Sequence, residues 1–285
     1  MYDSTVKAVR ALLTVLMVSS VLVVETSEAS QRRPVEEGYI REGVPKMPNP
    51  PGPAPKRDLS GAWVGPNGNS AGPVPPMTPE GERVFKLNKP YGAVTRNDAL
   101  GTSNDPFIVC DPLGFPRNLL AHAVSSRGGT LFGSAPDRIL IGYEQQRVWR
   151  EIWMDGRSLP TKIDVPGGAE SRYYGYSVGH WENDNTLVID TTGLDDRTWL
   201  DEAGYPHTVT AHVQERYTRL DQYNMQLTAT VEDPKYYTKT WTFMNSHFYW
   251  MKAQEFAETI CIPSEGIAYR DSLARPSGID ADTTQ

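Results

Sequence analysis

Met225, Leu227, Ala229 and Val231 alternate with Gln226, Thr228, Thr230 and Glu232. That period of two belongs to a strand with one dry and one wet face, and such a strand is stable only beside others. Similar short runs, rich in aromatic and branched residues, recur at 139–143, 147–154, 172–181, 186–191, 209–220, 238–243 and 255–262. Turn chemistry separates many of them, at Asp155-Gly156, Pro166-Gly167-Gly168, Asn183-Asp184 and Asp233-Pro234. About eight consecutive antiparallel strands predict an all-β fold. A barrel or strongly curved sheet closed on itself removes exposed edges, and a two-sheet sandwich fits the same string. One short helix is predicted at 78–88, with Thr78 as cap, Pro79 at the first helical position, and Glu80 and Glu82 at the positive end of the dipole.

The flanks differ from this middle. Lys7 and Arg10, the apolar run 11–24 and the small residues Ser27 and Ala29 have the order of an export signal, with cleavage expected after Ala29. The run falls short of the roughly 20 residues a spanning helix needs, and no second long apolar segment follows, so no stable membrane insertion is expected after cleavage. Residues 30–57 contain Pro34, Pro45, Pro48, Pro50, Pro51, Pro53 and Pro55, a density that blocks both helix and sheet and reads as an arm or linker. The expected organisation is then one β-rich domain at 58–268 and a flexible tail at 269–285.

A signal implies a periplasmic or secreted protein. In that oxidising setting the two cysteines, Cys110 and Cys261, are expected to pair. A catalytic thiol is disfavoured, because no histidine lies near either in sequence. The formal charge of −7 argues against a nucleic-acid partner.

The segment Asp58-Leu59-Ser60-Gly61-Ala62-Trp63 resembles the opening of a lipocalin-type barrel. That resemblance implies a Gly-x-Trp indole lying across the closed end. The segments 110–120 (CDPLGFPRNLL), 176–182 (YSVGHWE) and 186–191 (TLVIDT) resemble an exported family of environmental bacteria. This second resemblance implies one continuous domain and transfers no catalytic residues.

Chemistry can be sought where the strand period forces a polar side chain onto an apolar face, since such burial costs several kcal/mol unless a partner exists. If Asn183 and Asp184 form a two-residue turn, His180 pairs with Leu187, Val178 with Ile189 and Tyr176 with Thr191. His180 then looks inward with Tyr174 and Tyr176, while Ser177 and Asp190 share the other face, which excludes a triad from Ser177, His180 and Asp190. Glu215 shares a face with Val209, Ala211, Val213 and Tyr217, so an apolar core on that side makes it an inward carboxylate in need of a cation. In 147–154, Arg150 lies on the aliphatic face with Val148, Ile152 and Met154, opposite Arg147, Trp149, Glu151 and Trp153. Arg150 is therefore the expected partner of Glu215. A structural ion pair accounts for these two as readily as a functional one.

His122, His180, His207, His212 and His247 show no HExxH, HxH or related spacing, so no metal is expected. Gly61 to Gly68 lacks the lysine and helix of a phosphate loop, and no cofactor is indicated. The candidate catalytic set is His180, Glu215 and Arg150, with Tyr174, Tyr176, Tyr217, Trp149 and Trp153 as substrate-binding residues. This set predicts an exported, cofactor-independent acid–base enzyme, a lyase, isomerase or cyclase, acting on a small apolar or aromatic molecule. The alternatives are a non-catalytic lipocalin-like carrier of apolar ligands and a cell-surface interaction domain. The last requires a filled interior and exposed aromatics gathered on one outer patch.

Overall fold

The period-two segments become strands whose registers close on themselves. In a computed structural model, which describes residues 50–65, 72–91, 98, 100–124, 129–251, 256 and 260–275, nine strands form a closed barrel. They are β1 (Gly61–Val64), β2 (Gly129–Ser134), β3 (Arg138–Tyr143), β4 (Val148–Trp153), β5 (Tyr176–Trp181), β6 (Thr186–Thr192), β7 (His212–Arg219), β8 (Asn224–Glu232) and β9 (Trp241–Met251). Strand order follows chain order, and β1 closes the circle on β9 through Trp63 opposite Trp250. The expected export signal and most of the arm lie outside the described residues, as does the tail beyond 275.

Alternation sets the core. Along β7 and β8 every second side chain is buried, and Val213, Tyr217, Met225, Leu227 and Val231 meet Phe132, Phe243 and Phe248 inside. Large side chains line this interior. All neighbouring strands are antiparallel except β4 and β5, which run parallel and pair only at Ile152–Ser177 and Trp153–Val178. The long connection 154–175 permits this crossover, a departure from the all-antiparallel expectation.

At the end where β1 begins, the indole of Trp63 is fully buried and donates to the Leu59 carbonyl at 2.8 Å. The Arg219 guanidinium lies 5.0 Å from its ring centroid and donates to the Asp58 and Gln222 carbonyls at 2.6 and 2.9 Å. The Gly-x-Trp segment thus lies at the lower end of the barrel with its indole buried. The last residues of the proline-rich stretch pack there too. Gly52 exchanges hydrogen bonds with Gln222, its N–H donating to Oε1 and its carbonyl accepting from the Gln222 amide, and Lys56 reaches Asp184 at 2.8 Å.

The opposite, upper end is covered by connections and by two helices, α1 (Pro79–Phe85) and α2 (Arg117–Val124). Thr78 caps α1 as expected, its hydroxyl accepting from the Gly81 amide at 3.1 Å. Helix α2 was not anticipated, nor was α3 (Pro263–Tyr269). The strand expected at 255–262 is absent among its described residues, Phe256 and 260–262. Cys110 and Cys261 form the expected disulfide, which ties α3 to the 106–110 turn. Among the described residues no helix is long and apolar enough to cross a membrane.

Candidate functional site

Within the upper half of the barrel, strands far apart in sequence bring charged and hydroxyl side chains into an apolar interior. Arg150 projects inward from β4 and Glu215 from β7, and Arg150 Nη2 lies 2.8 Å from Glu215 Oε2 with both side chains essentially inaccessible to water. The same nitrogen donates to Ser177 Oγ at 3.0 Å and Thr191 Oγ1 at 2.9 Å, while Nη1 donates to the Tyr143 hydroxyl at 3.1 Å. The other Glu215 oxygen accepts from the Tyr217 hydroxyl at 2.8 Å. Desolvating two ions costs several kcal/mol each, and an arrangement like this holds only because hydrogen bonds surround both.

A plug closes the centre from above. The ring of Phe115 stands 3.6 Å from the Arg150 guanidinium carbon, and its amide donates to the Tyr173 carbonyl at 2.9 Å. Leu113 N–H donates to Gln146 Oε1 at 3.0 Å. Arg117, at the start of α2, makes a buried two-pronged pair with Asp105 at 2.7 and 2.6 Å. Gly114, at φ +74°, has no room for a side chain, since a Cβ there would fall 2.6 Å from Thr198. One turn along, Asn118 is only 1% exposed, yet its carboxamide makes no hydrogen bond of good geometry, with only the approach of the Tyr143 hydroxyl beside it, and Arg150 Nε is without a partner.

The protonation states follow from burial. It pushes the Tyr143 hydroxyl up to about 12 against the opposing pull of Arg150, and Asn118 lies close enough to act on the same hydroxyl. Burial, then Glu215, raises Tyr217 well above the ordinary phenol range. Burial also raises Tyr174, which senses Tyr143 and Arg150. On Arg150 burial works against the charge, but Glu215 and Tyr143 outweigh it and hold the group protonated.

His180 departs from its expected place. The β5–β6 loop contains three residues rather than two: Glu182 N–H donates to the Thr186 carbonyl, and Asn185 N–H to Asn183 Oδ1 at 2.8 Å. The pairs are consequently His180–Val188, Val178–Asp190 and Tyr176–Thr192, and a slip of one residue turns every β5 side chain to the other face. Gly179 shows why this register holds. It faces inward, where a Cβ would lie 2.9 Å from Ile152 and 2.8 Å from Met154.

His180 is therefore exposed on the outer wall, away from Glu215. Ser177 is inward and Asp190 outward beside His212 at 2.9 Å, so the Ser177–His180–Asp190 set stays divided, but it is Ser177 that stands alone inside, and Ser177 and Asp190 do not share a face as expected. Tyr176 also lies outside, donating to the Glu170 carbonyl beneath Arg172. Trp149 is 68% exposed, and Trp153 is stacked between Arg138 and Arg157 at 3.8 and 3.4 Å. None of these three lines the interior. Of the expected binding residues, Tyr217 lies in the centre and Tyr174 at its edge.

Sequence reasoning missed Tyr143, Ser177, Thr191, Phe115 and Asn118. Tyr143 had a signal, since Ile139, Ile141 and Tyr143 alternate inward. Phe115 and Asn118 had none that a local pattern could supply. Among the described residues no three His, Cys, Asp or Glu side chains form a group able to hold a metal ion. No family model matches the chain, and no curated protein is significantly similar to it.

Proposed function

We propose that this chain is an exported binding protein that holds a small organic molecule at the upper end of its barrel, without catalysing a reaction on it. The observation that carries the reading is the pair of unspent polar groups beside the Phe115 plug: the carboxamide of Asn118 and the Nε–H of Arg150, both buried. A buried polar group left without a partner costs about 1–3 kcal/mol. A ligand that pairs with these groups recovers that energy on binding. Acid–base chemistry has weaker support. The imidazole expected to share the work is on the outer wall, and both oxygens of Glu215 are engaged by Arg150 and Tyr217. Export is supported by the leader-like residues 1–29 and the disulfide.

The test is an unbiased metabolite screen of the purified chain by native mass spectrometry. A small molecule retained by wild type and lost on Arg150→Met with the barrel still folded is the expected result. A screen that returns nothing overturns the reading.

A second reading rests on the outer wall. There Ala62, Leu131, Gly142 and Trp149 stand in one row across β1 to β4, with Leu131 and Leu140 also exposed. Trp149 is the single aromatic of this row, and the exposed apolar side chains around it support an interaction surface. Trp149→Ser with Leu131→Ser is then expected to abolish partner capture while thermal stability stays unchanged. Capture that survives both changes excludes the patch.

A further inference from the structure

We infer that Asn118 is the recognition residue of the barrel, and that it takes a neutral planar molecule presenting a donor beside an acceptor, as a primary amide or a lactam does. The inference rests on the binding reading above and narrows it to a ligand class. Unspent hydrogen-bonding capacity in the upper barrel is concentrated in a few atoms. Glu215 uses both oxygens, and Ser177 and Thr191 bond to Arg150 and to each other at 2.9 Å. What remains is Arg150 Nε and, beyond the approach of Asn118 to the Tyr143 hydroxyl, the second N–H and the Oδ1 of Asn118. A carboxamide edge offers an N–H donor next to an oxygen acceptor. Its complement is the same edge reversed, so that Nδ2 donates to a ligand carbonyl and Oδ1 accepts a ligand N–H.

Charge selects a neutral molecule. The Arg150 cation is already matched by the Glu215 carboxylate at 2.8 Å, so an anion would enter a buried centre without a countercharge, which is strongly unfavourable. Shape selects a flat one. Phe115 stacks on the guanidinium, whose Nη1 donates to the Tyr143 hydroxyl at 3.1 Å. A primary amide or lactam is flat by resonance and presents a face that matches such a ring.

The experiment is calorimetric titration and thermal unfolding of the purified chain with 2-pyridone and benzamide, using benzoate at pH 7 as the anionic counterpart. Both amides are expected to bind and raise Tm, and benzoate to bind more weakly. Asn118→Leu, close in volume and checked for folding by circular dichroism, is expected to lose at least tenfold in amide affinity. Equal affinity in Asn118→Leu overturns the inference, as does benzoate binding more tightly than benzamide. If neither amide binds while the metabolite screen returns another ligand, the ligand class is wrong and the binding reading stands. If nothing binds wild type, both fall, and an Asn118→Leu protein more stable than wild type says the same.

Discussion

Arg150 and Glu215, separated by 65 residues in sequence, meet at 2.8 Å on facing walls of a barrel whose interior is otherwise mainly apolar. Each is the other's only ionic partner among the described residues at this centre. Removing one therefore leaves an uncompensated buried charge, whereas removing both leaves a smaller polar remnant. Arg150→Met and Glu215→Leu are each expected to lower unfolding free energy by about 3–5 kcal/mol. Arg150→Met combined with Glu215→Leu should recover much of that loss, though not all, because the Tyr217 hydroxyl loses its acceptor. Urea titration of the two singles and the double gives the coupling directly. Additive losses would show that the two charges do not depend on one another.

Asp201 adds a pH dependence away from this centre. Burial pushes its carboxyl up to about 6, although the Ala203 and Tyr205 amides donate to it at 3.0 and 3.2 Å and Arg117 draws it down. A folded value above the unfolded one, about 3.9, means the unfolded chain ionises first. The associated stability is fully present below about pH 4 and lost as pH rises through 6, a change of about 3 kcal/mol. Asp201→Asn keeps the acceptor and removes the titration. The difference in unfolding free energy between wild type and this variant should therefore change between pH 4 and 6.5, to the disadvantage of wild type. Parallel curves would show that Asp201 is not desolvated.

What the sequence disclosed about this centre divides along a physical line. Glu215 and Arg150 were legible because alternation along β7 and β4 leaves a charge on the apolar face whichever side is buried, and the opposite signs name the pair. His180 was misplaced because one extra loop residue, Asn185, reverses a whole strand, and turn length is weakly encoded when Asn, Asp and Asn follow one another. Asn118 and Phe115 could not be found, since their burial comes from a plug seated over distant strands. The barrel itself was legible as one of two closures, but choosing it over a sandwich depends on β1 meeting β9.

The disulfide offers a separate handle on the plug. Cys110 follows the 106–109 turn, and the plug begins three residues later, so the bond to Cys261 anchors that region to α3. In the chain-entropy account a loop of this length, with a sequence separation of 151, contributes about 5 kcal/mol. Replacing both cysteines by alanine is expected to lower unfolding free energy by an amount of that order and to open 260–275 to proteolysis before the barrel unfolds. If reductant leaves both Tm and the cleavage pattern of wild type unchanged, the staple has no such role.

Two glycines separate register from propensity. At Gly179 a methyl group would meet Ile152 Cγ2 at 2.9 Å and Met154 Sδ at 2.8 Å, whereas at Gly133, on the outer wall of β2, nothing lies within 4 Å. Both are strand residues, so backbone entropy alone favours alanine at each by about 0.5–1 kcal/mol. Gly133→Ala should therefore be neutral or stabilising. Gly179→Ala should cost about 1–3 kcal/mol through overpacking, because Ile152 is fully buried and cannot move aside. The outcome bears on His180 as well. If Gly179→Ala is tolerated as readily as Gly133→Ala, β5 does not turn Gly179 toward Ile152, and the register that carries the imidazole to the outer wall is wrong. Thermal unfolding of the two variants decides the matter, and quenching of a fluorophore attached at His180→Cys reports its face independently.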